Sequence, residues 1–100
     1  MLPNKKLPSG VKVCGIWYKI QVTKKPCKIE GDDDLYGGVI SYNDTKIRIW
    51  GGRNLQQMRK TLWHELYHAF RWETRAKPEE DEEYLASSFA TMMMGLEYKY

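Results

Sequence analysis

The chain holds only two histidines, and they stand four residues apart in Thr61-Leu62-Trp63-His64-Glu65-Leu66-Tyr67-His68-Ala69-Phe70. On an α-helix, side chains four apart lie one above the other on one face, so His64 and His68 can offer two imidazoles to a single metal ion. Glu65 is rotated by about a quarter turn from them. It is close enough to act on a water held by that metal and too far round to be drawn into ligation. The chemistry implied is metal-assisted hydrolysis, with Glu65 as general base and Zn2+ as the ion that this residue pattern suits.

A catalytic zinc takes three protein ligands and keeps one position open. No third histidine exists, and no cysteine falls in the second half of the chain. The remaining ligand must then be a carboxylate, and Glu79, Glu80, Asp81, Glu82 and Glu83 compete for the role. Glu83 is best placed, because it borders an apolar stripe on the flank of Ala86 and Ala90, whose small side chains allow two helices to approach closely. Glu82 points toward the centre of that stripe and comes second. Glu79, one turn before Glu83, is third. Acids also suit the first turn of a helix for dipole reasons alone.

The elements that must position these residues follow from periodicity. Asn54 reads as a helix N-cap with Gln57 in the reciprocal position three residues on. In the helix that follows, Leu55, Met58, Leu62, Leu66, Ala69 and Phe70 form an apolar stripe, and Lys60, Tyr67 and Arg71 form a wetter side. A second helix is expected to open at Pro78 and to bury Leu85, Ala86, Phe89, Met92, Met93 and Leu96. Its methionines read as packing, since thioethers are adaptable fillers. Before the helices, Val11–Cys14 and Ile16–Val22 alternate like half-buried strands, with Gly15 as a bulge or tight connection. Val39–Tyr42 and Ile47–Trp50, separated by Asn-Asp turn chemistry, predict a hairpin. The fold class is therefore α+β, a small antiparallel sheet of three to four strands followed by two packed helices, in a single domain over residues 1–100.

Composition excludes several classes. The net charge of +3 is modest, and the lysines are dispersed, which reads as a solvated basic surface; nucleic acid is not indicated. Asp32-Asp33-Asp34 lacks the spacing of a calcium loop and reads as a solvated turn. Cys14 and Cys27 make no metal spacing and no disulfide-dense pattern. No segment approaches a membrane span or the apolar core of a signal peptide, so a cytoplasmic protein with reduced thiols is expected.

The span Thr61–Phe70, followed by Glu83-x-x-Ala86-x-x-Phe89-Ala90-x-x-Met93-Met94, resembles the ImmA/IrrE-type metallopeptidases, compact zincins common in phages and mobile elements. The resemblance covers about forty residues and implies a minimal zincin-like fold. It also implies zinc held by His64, His68 and Glu83, with Glu65 as base, and a protein or peptide substrate met in the cytoplasm of a bacterial host. Arg71 and Tyr84 are the sequence candidates for stabilising an oxyanion. A competing reading is a non-catalytic, zinc-stabilised phage protein that binds and modulates a host protein.

Overall fold

The computed structural model describes residues 7–77 and 80–96. Four strands, β1 (Gly10–Val13), β2 (Ile16–Thr23), β3 (Gly38–Ser41) and β4 (Lys46–Trp50), precede two helices, α1 (Leu55–Glu73) and α2 (Glu82–Leu96). The fold class is α+β, as the residue patterns predict.

The strands form one sheet in the order β1-β2-β4-β3. β1 and β2 make a hairpin whose two-residue turn, Cys14-Gly15, has positive φ at both positions, 51° and 86°. Such a turn matches the right-handed twist of the strands it joins, so Gly15 marks a tight connection rather than a bulge. β3 and β4 pair antiparallel, as their alternation predicts. In one respect the sheet departs from the all-antiparallel expectation: β4 lies parallel to β2, with Ile20 opposite Ile47 and Val22 opposite Ile49. The reason is the path between them. The chain leaves β2 through a long loop, passes to the far edge as β3, and returns as β4 into the space beside β2. A parallel neighbour requires such a crossover of a dozen or more residues.

α1 packs across one face of this sheet. Leu62 and Ala69 join Val13, Tyr18, Ile20, Ile47 and Ile49 in the buried core, with Leu55, Met58 and Leu66 partly buried against it. The Tyr18 ring is fully buried, and its hydroxyl donates to Glu73 at 2.5 Å, so its one polar atom is satisfied at the end of α1. Burial and this carboxylate both raise the Tyr18 pKa, which keeps the phenol a donor. The cap at Asn54 forms as its sequence predicts: Asn54 Oδ1 accepts from the Gln57 amide at 2.8 Å, and the Gln57 side chain accepts from the Asn54 amide at 3.3 Å. Phe70 does not join the apolar stripe and is half exposed. It sits about 100° round from Ala69, beyond the reach of the sheet.

α2 packs mainly on α1, so only a narrow row is covered. Ala86 and Ala90 are buried, Leu85, Phe89 and Met93 are half-buried, and Met92 and Leu96 are exposed, contrary to the wider stripe expected. Phe89 lies between Trp63 and Tyr67 of α1, with ring centroids 6.1 and 5.4 Å away. The side of α1 expected to be wet, with Tyr67 and Arg71, is thus the side that α2 partly covers. α2 also begins later than the proline suggests. Its first helical bond runs from the Leu85 amide to the Asp81 carbonyl at 2.8 Å, and of the four described acids, at positions 80–83, only Glu82 and Glu83 lie in the first turn. Pro78 and Glu79 lie outside the described residues. Among the described residues, no helix is long and apolar enough to cross a membrane.

Candidate metal centre

α1 places His64 and His68 on one flank, as the helical spacing requires, and the close packing at Ala86 and Ala90 brings the start of α2 against that flank. His64 Nε2 and His68 Nε2 are 3.2 Å apart. Glu83 reaches both: one oxygen is 3.0 Å from His64 Nε2 and the other 2.9 Å from His68 Nε2. Ligand atoms at 2.0–2.1 Å from a tetrahedral zinc stand about 3.3 Å from one another, and the observed separations are close to that value. His64, His68 and Glu83 thus form a group able to hold a metal ion.

The other ring nitrogens explain why the donors converge. His68 Nδ1 donates to Glu82 Oε2 at 2.6 Å, and His64 Nδ1 lies 3.3 Å from the Ser87 hydroxyl. The Glu82 carboxylate requires the proton on His68 Nδ1, and in a neutral ring that turns the His68 Nε2 lone pair inward; the Ser87 hydroxyl, which can donate or accept, is compatible with the same tautomer at His64. Burial holds the His64 pKa below its ordinary value, with the neighbouring His68 adding to that effect and Glu83 opposing it, so the neutral form is favoured. With both rings in that tautomer, two lone pairs and a carboxylate face one another at about 3 Å. A proton on either Nε2 would make these contacts hydrogen bonds to Glu83, and a cation among the three groups would satisfy all of them at once; the donor set fits one.

Glu82 and Ser87 have roles here that sequence reasoning did not assign to them. Glu82 is not a competing ligand: it orients His68 and is itself held by Arg71 Nε at 3.3 Å. A carboxylate on the far nitrogen of a ligating histidine fixes the tautomer and raises its basicity. Ser87 could have been found from its position one helical turn after Glu83. Arg71 is committed to Glu82 and to the Lys77 carbonyl, at 2.6 Å, and Tyr84 is exposed. Neither lines the cavity beside the histidines, so the geometry does not support either as an oxyanion donor.

That cavity has a volume of about 870 Å³ and opens between α1, the start of α2 and β3, with Gly38, Val39, Ile40, Tyr36 and Tyr42 on its sheet side. Glu65 lines it from α1 and is buried. Desolvation pushes the Glu65 pKa up to about 7, with His68 opposing and Glu83 adding to the rise. The Tyr42 ring stacks on Trp72 with centroids 4.5 Å apart, which fixes its place in the cavity wall. Burial, reinforced by Glu82, Glu65 and Glu83, pushes its pKa up to about 12, so it remains a donor. Tyr36 is differently engaged. Its hydroxyl donates to Asp32 at 2.6 Å, and Asp32 also accepts from the Asp34 amide at 2.8 Å, which makes the acidic triplet an ordered turn.

Compared with models of protein families, with characterised proteins and with solved structures, the chain gives no significant match.

Proposed function

We propose that the protein is a zinc-dependent endopeptidase of the ImmA/IrrE kind, with His64, His68 and Glu83 as the metal ligands and Glu65 as general base. The observation that carries this reading is the convergence of three lone-pair donors beside a buried carboxylate, in a cavity bordered by a sheet-edge strand. A purely structural ion would have no use for Glu65, whose burial is unfavourable for the fold.

When bound, the ion supplies Lewis acidity, which acidifies water and polarises a peptide carbonyl. The chain's own residues supply the rest. β3 is an edge strand, so its outer backbone groups can take an extended peptide as an added strand and hold it across the cavity. Glu65 takes a proton from the attacking water as the water oxygen bonds to the carbonyl carbon. It then returns that proton to the amide nitrogen as the C–N bond breaks. Tyr42 offers a phenolic donor to the carbonyl oxygen as charge builds there. Glu82 keeps His68 in the tautomer that faces the ion. The substrate is a protein or peptide, and the free thiols of Cys14 and Cys27 suit the reducing cytoplasm of a bacterial host carrying a phage or mobile element.

The test is cleavage of a proteome-derived peptide library by zinc-loaded protein, read as new N-termini by mass spectrometry. Wild type should cut. Glu65→Gln should keep its zinc and lose all cutting, whereas cutting that survives this change would overturn the enzyme reading. Absence of cutting by wild type across the library would favour the alternative, a metal-stiffened phage protein that binds and modulates a host protein.

A further inference from the structure

Among the described residues, the helices cover one side of the sheet only. Along β2 the side chains alternate, so Tyr18 and Ile20 face α1 while Trp17, Lys19 and Gln21 face the other way. Register carries this alternation across the sheet: Lys12 lies beside Trp17, Lys19 beside Lys46, and Gln21 beside Arg48. The uncovered side therefore gathers Lys12, Lys19, Lys46 and Arg48, each exposed or half exposed. No strand carries an aspartate or glutamate. The chain as a whole has 16 cationic and 13 acidic side chains; Asp44 of the β3–β4 turn borders this face, accepting from the Ser41 hydroxyl at 3.1 Å beside Lys46, and the face is otherwise cationic.

Such an arrangement works against folding. Like charges directly opposite one another on neighbouring strands destabilise a sheet, and Lys19 and Lys46 are such a pair. Water would be satisfied equally well by mixed charges. Arg48 is held over the face by donation from its guanidinium to the Lys28 carbonyl at 3.3 Å. Among these cations Trp17 is 53% exposed. Its indole lies over Gly10, where a Cβ would come within 2.1 Å of the ring, so the ring is supported by backbone on one side.

We propose that this open sheet face binds single-stranded nucleic acid, with Lys12, Lys19, Lys46 and Arg48 on phosphates and Trp17 stacked on a base. Charge complementarity selects a polyanion, and the supported aromatic selects one whose bases are unpaired. A flat sheet has no helix to enter a duplex groove, whereas sheets carrying exposed aromatics are known platforms for single strands. The face lies on the opposite side of the sheet from α1 and its cavity, so this site is independent of metal and of peptide hydrolysis.

Fluorescence anisotropy of the full chain with labelled dT20 and U20 tests the proposal and separates DNA from RNA. With four phosphate contacts at about 0.7 each, the log–log salt slope should be about −2.8, and affinity should fall about fifty-fold between 50 and 200 mM salt. Lys19→Gln/Lys46→Gln should halve that slope and leave the melting temperature unchanged or higher, because a repulsive pair is removed. Trp17→Ala should weaken binding about fivefold or more with the slope retained. Chelation should change neither. The proposal is overturned if neither oligonucleotide binds at 50 mM salt, or if the double variant keeps the wild-type slope. It is also overturned if heparin or phosphatidylserine vesicles bind as tightly as the oligonucleotides while Trp17→Ala has no effect.

Discussion

Glu65→Gln in the metal-free protein is the substitution for which the structure yields the clearest magnitude. Glu65 is buried at 7% exposure, and desolvation raises its pKa from 4.5 to about 7. For an acid with a raised folded-state pKa, the stability linked to its protonated form is complete below about 4.5. It is then lost as pH rises through about 7. At 1.36 kcal/mol per pKa unit, the ionised carboxylate costs the metal-free fold ~3 kcal/mol at pH 8 and above. A glutamine in its place would keep the shape and carry no charge. Thermal unfolding of chelator-stripped, buffer-exchanged protein from pH 4.5 to 8.5 should give near-coincident midpoints at the acid end. At pH 8 the variant should melt on the order of 10 °C higher than wild type. Zinc should shrink this difference, because a cation beside Glu65 favours its ionised form. Parallel pH profiles for the two proteins, or a variant less stable at pH 8, would refute the assignment of Glu65 as a desolvated base.

Removing the orienting carboxylate with Glu82→Ala should weaken zinc binding about 10- to 100-fold while leaving one site per chain, as measured by competition with a chromogenic chelator. Gly38→Ala should destabilise the fold by about 1–3 kcal/mol in urea unfolding, because a Cβ there would stand 2.5 Å from Thr61 Cγ2 and 3.3 Å from Glu65 Cγ. Adding Thr61→Ser, which deletes that methyl, should recover most of the loss. Ala86→Leu should overpack the α1–α2 contact, lower stability by about 1–3 kcal/mol, and reduce zinc affinity by moving Glu83 away from the histidines.

The histidine pair is readable from spacing because four residues make about one helical turn, a local rule that no later packing alters. Asn54 and Gln57 are readable for the same reason, since the capping box spans a single turn. Glu83 can be ranked but not separated from Glu82 by sequence, because one residue of rotation decides which acid reaches the two Nε2 atoms and which is taken up by His68 Nδ1 and Arg71. Alternation shows that Ile20 and Ile47 belong in a core but carries no information on which strands are neighbours. The parallel pairing of β2 with β4 is therefore invisible until the crossover is traced. Phe70 is misplaced by the helical wheel, which counts apolar residues without showing where the sheet ends. The basic face is hidden for a related reason: Lys12, Lys19, Lys46 and Arg48 are far apart in the chain, and the register of three strands brings them together. Their dispersal in sequence suggests a solvated surface, whereas the sheet gathers them on one face whose strands carry no acid.

All of the proposed chemistry requires one divalent ion held by His64, His68 and Glu83. X-ray absorption at the zinc edge of stoichiometrically loaded protein addresses that requirement most directly. The arrangement predicts one zinc per chain, two imidazole ligands and further oxygen ligands without sulfur, with binding lost in His64→Ala and one carboxylate oxygen lost in Glu83→Ala. Sulfur coordination, or equal zinc content in wild type and His64→Ala, would contradict it.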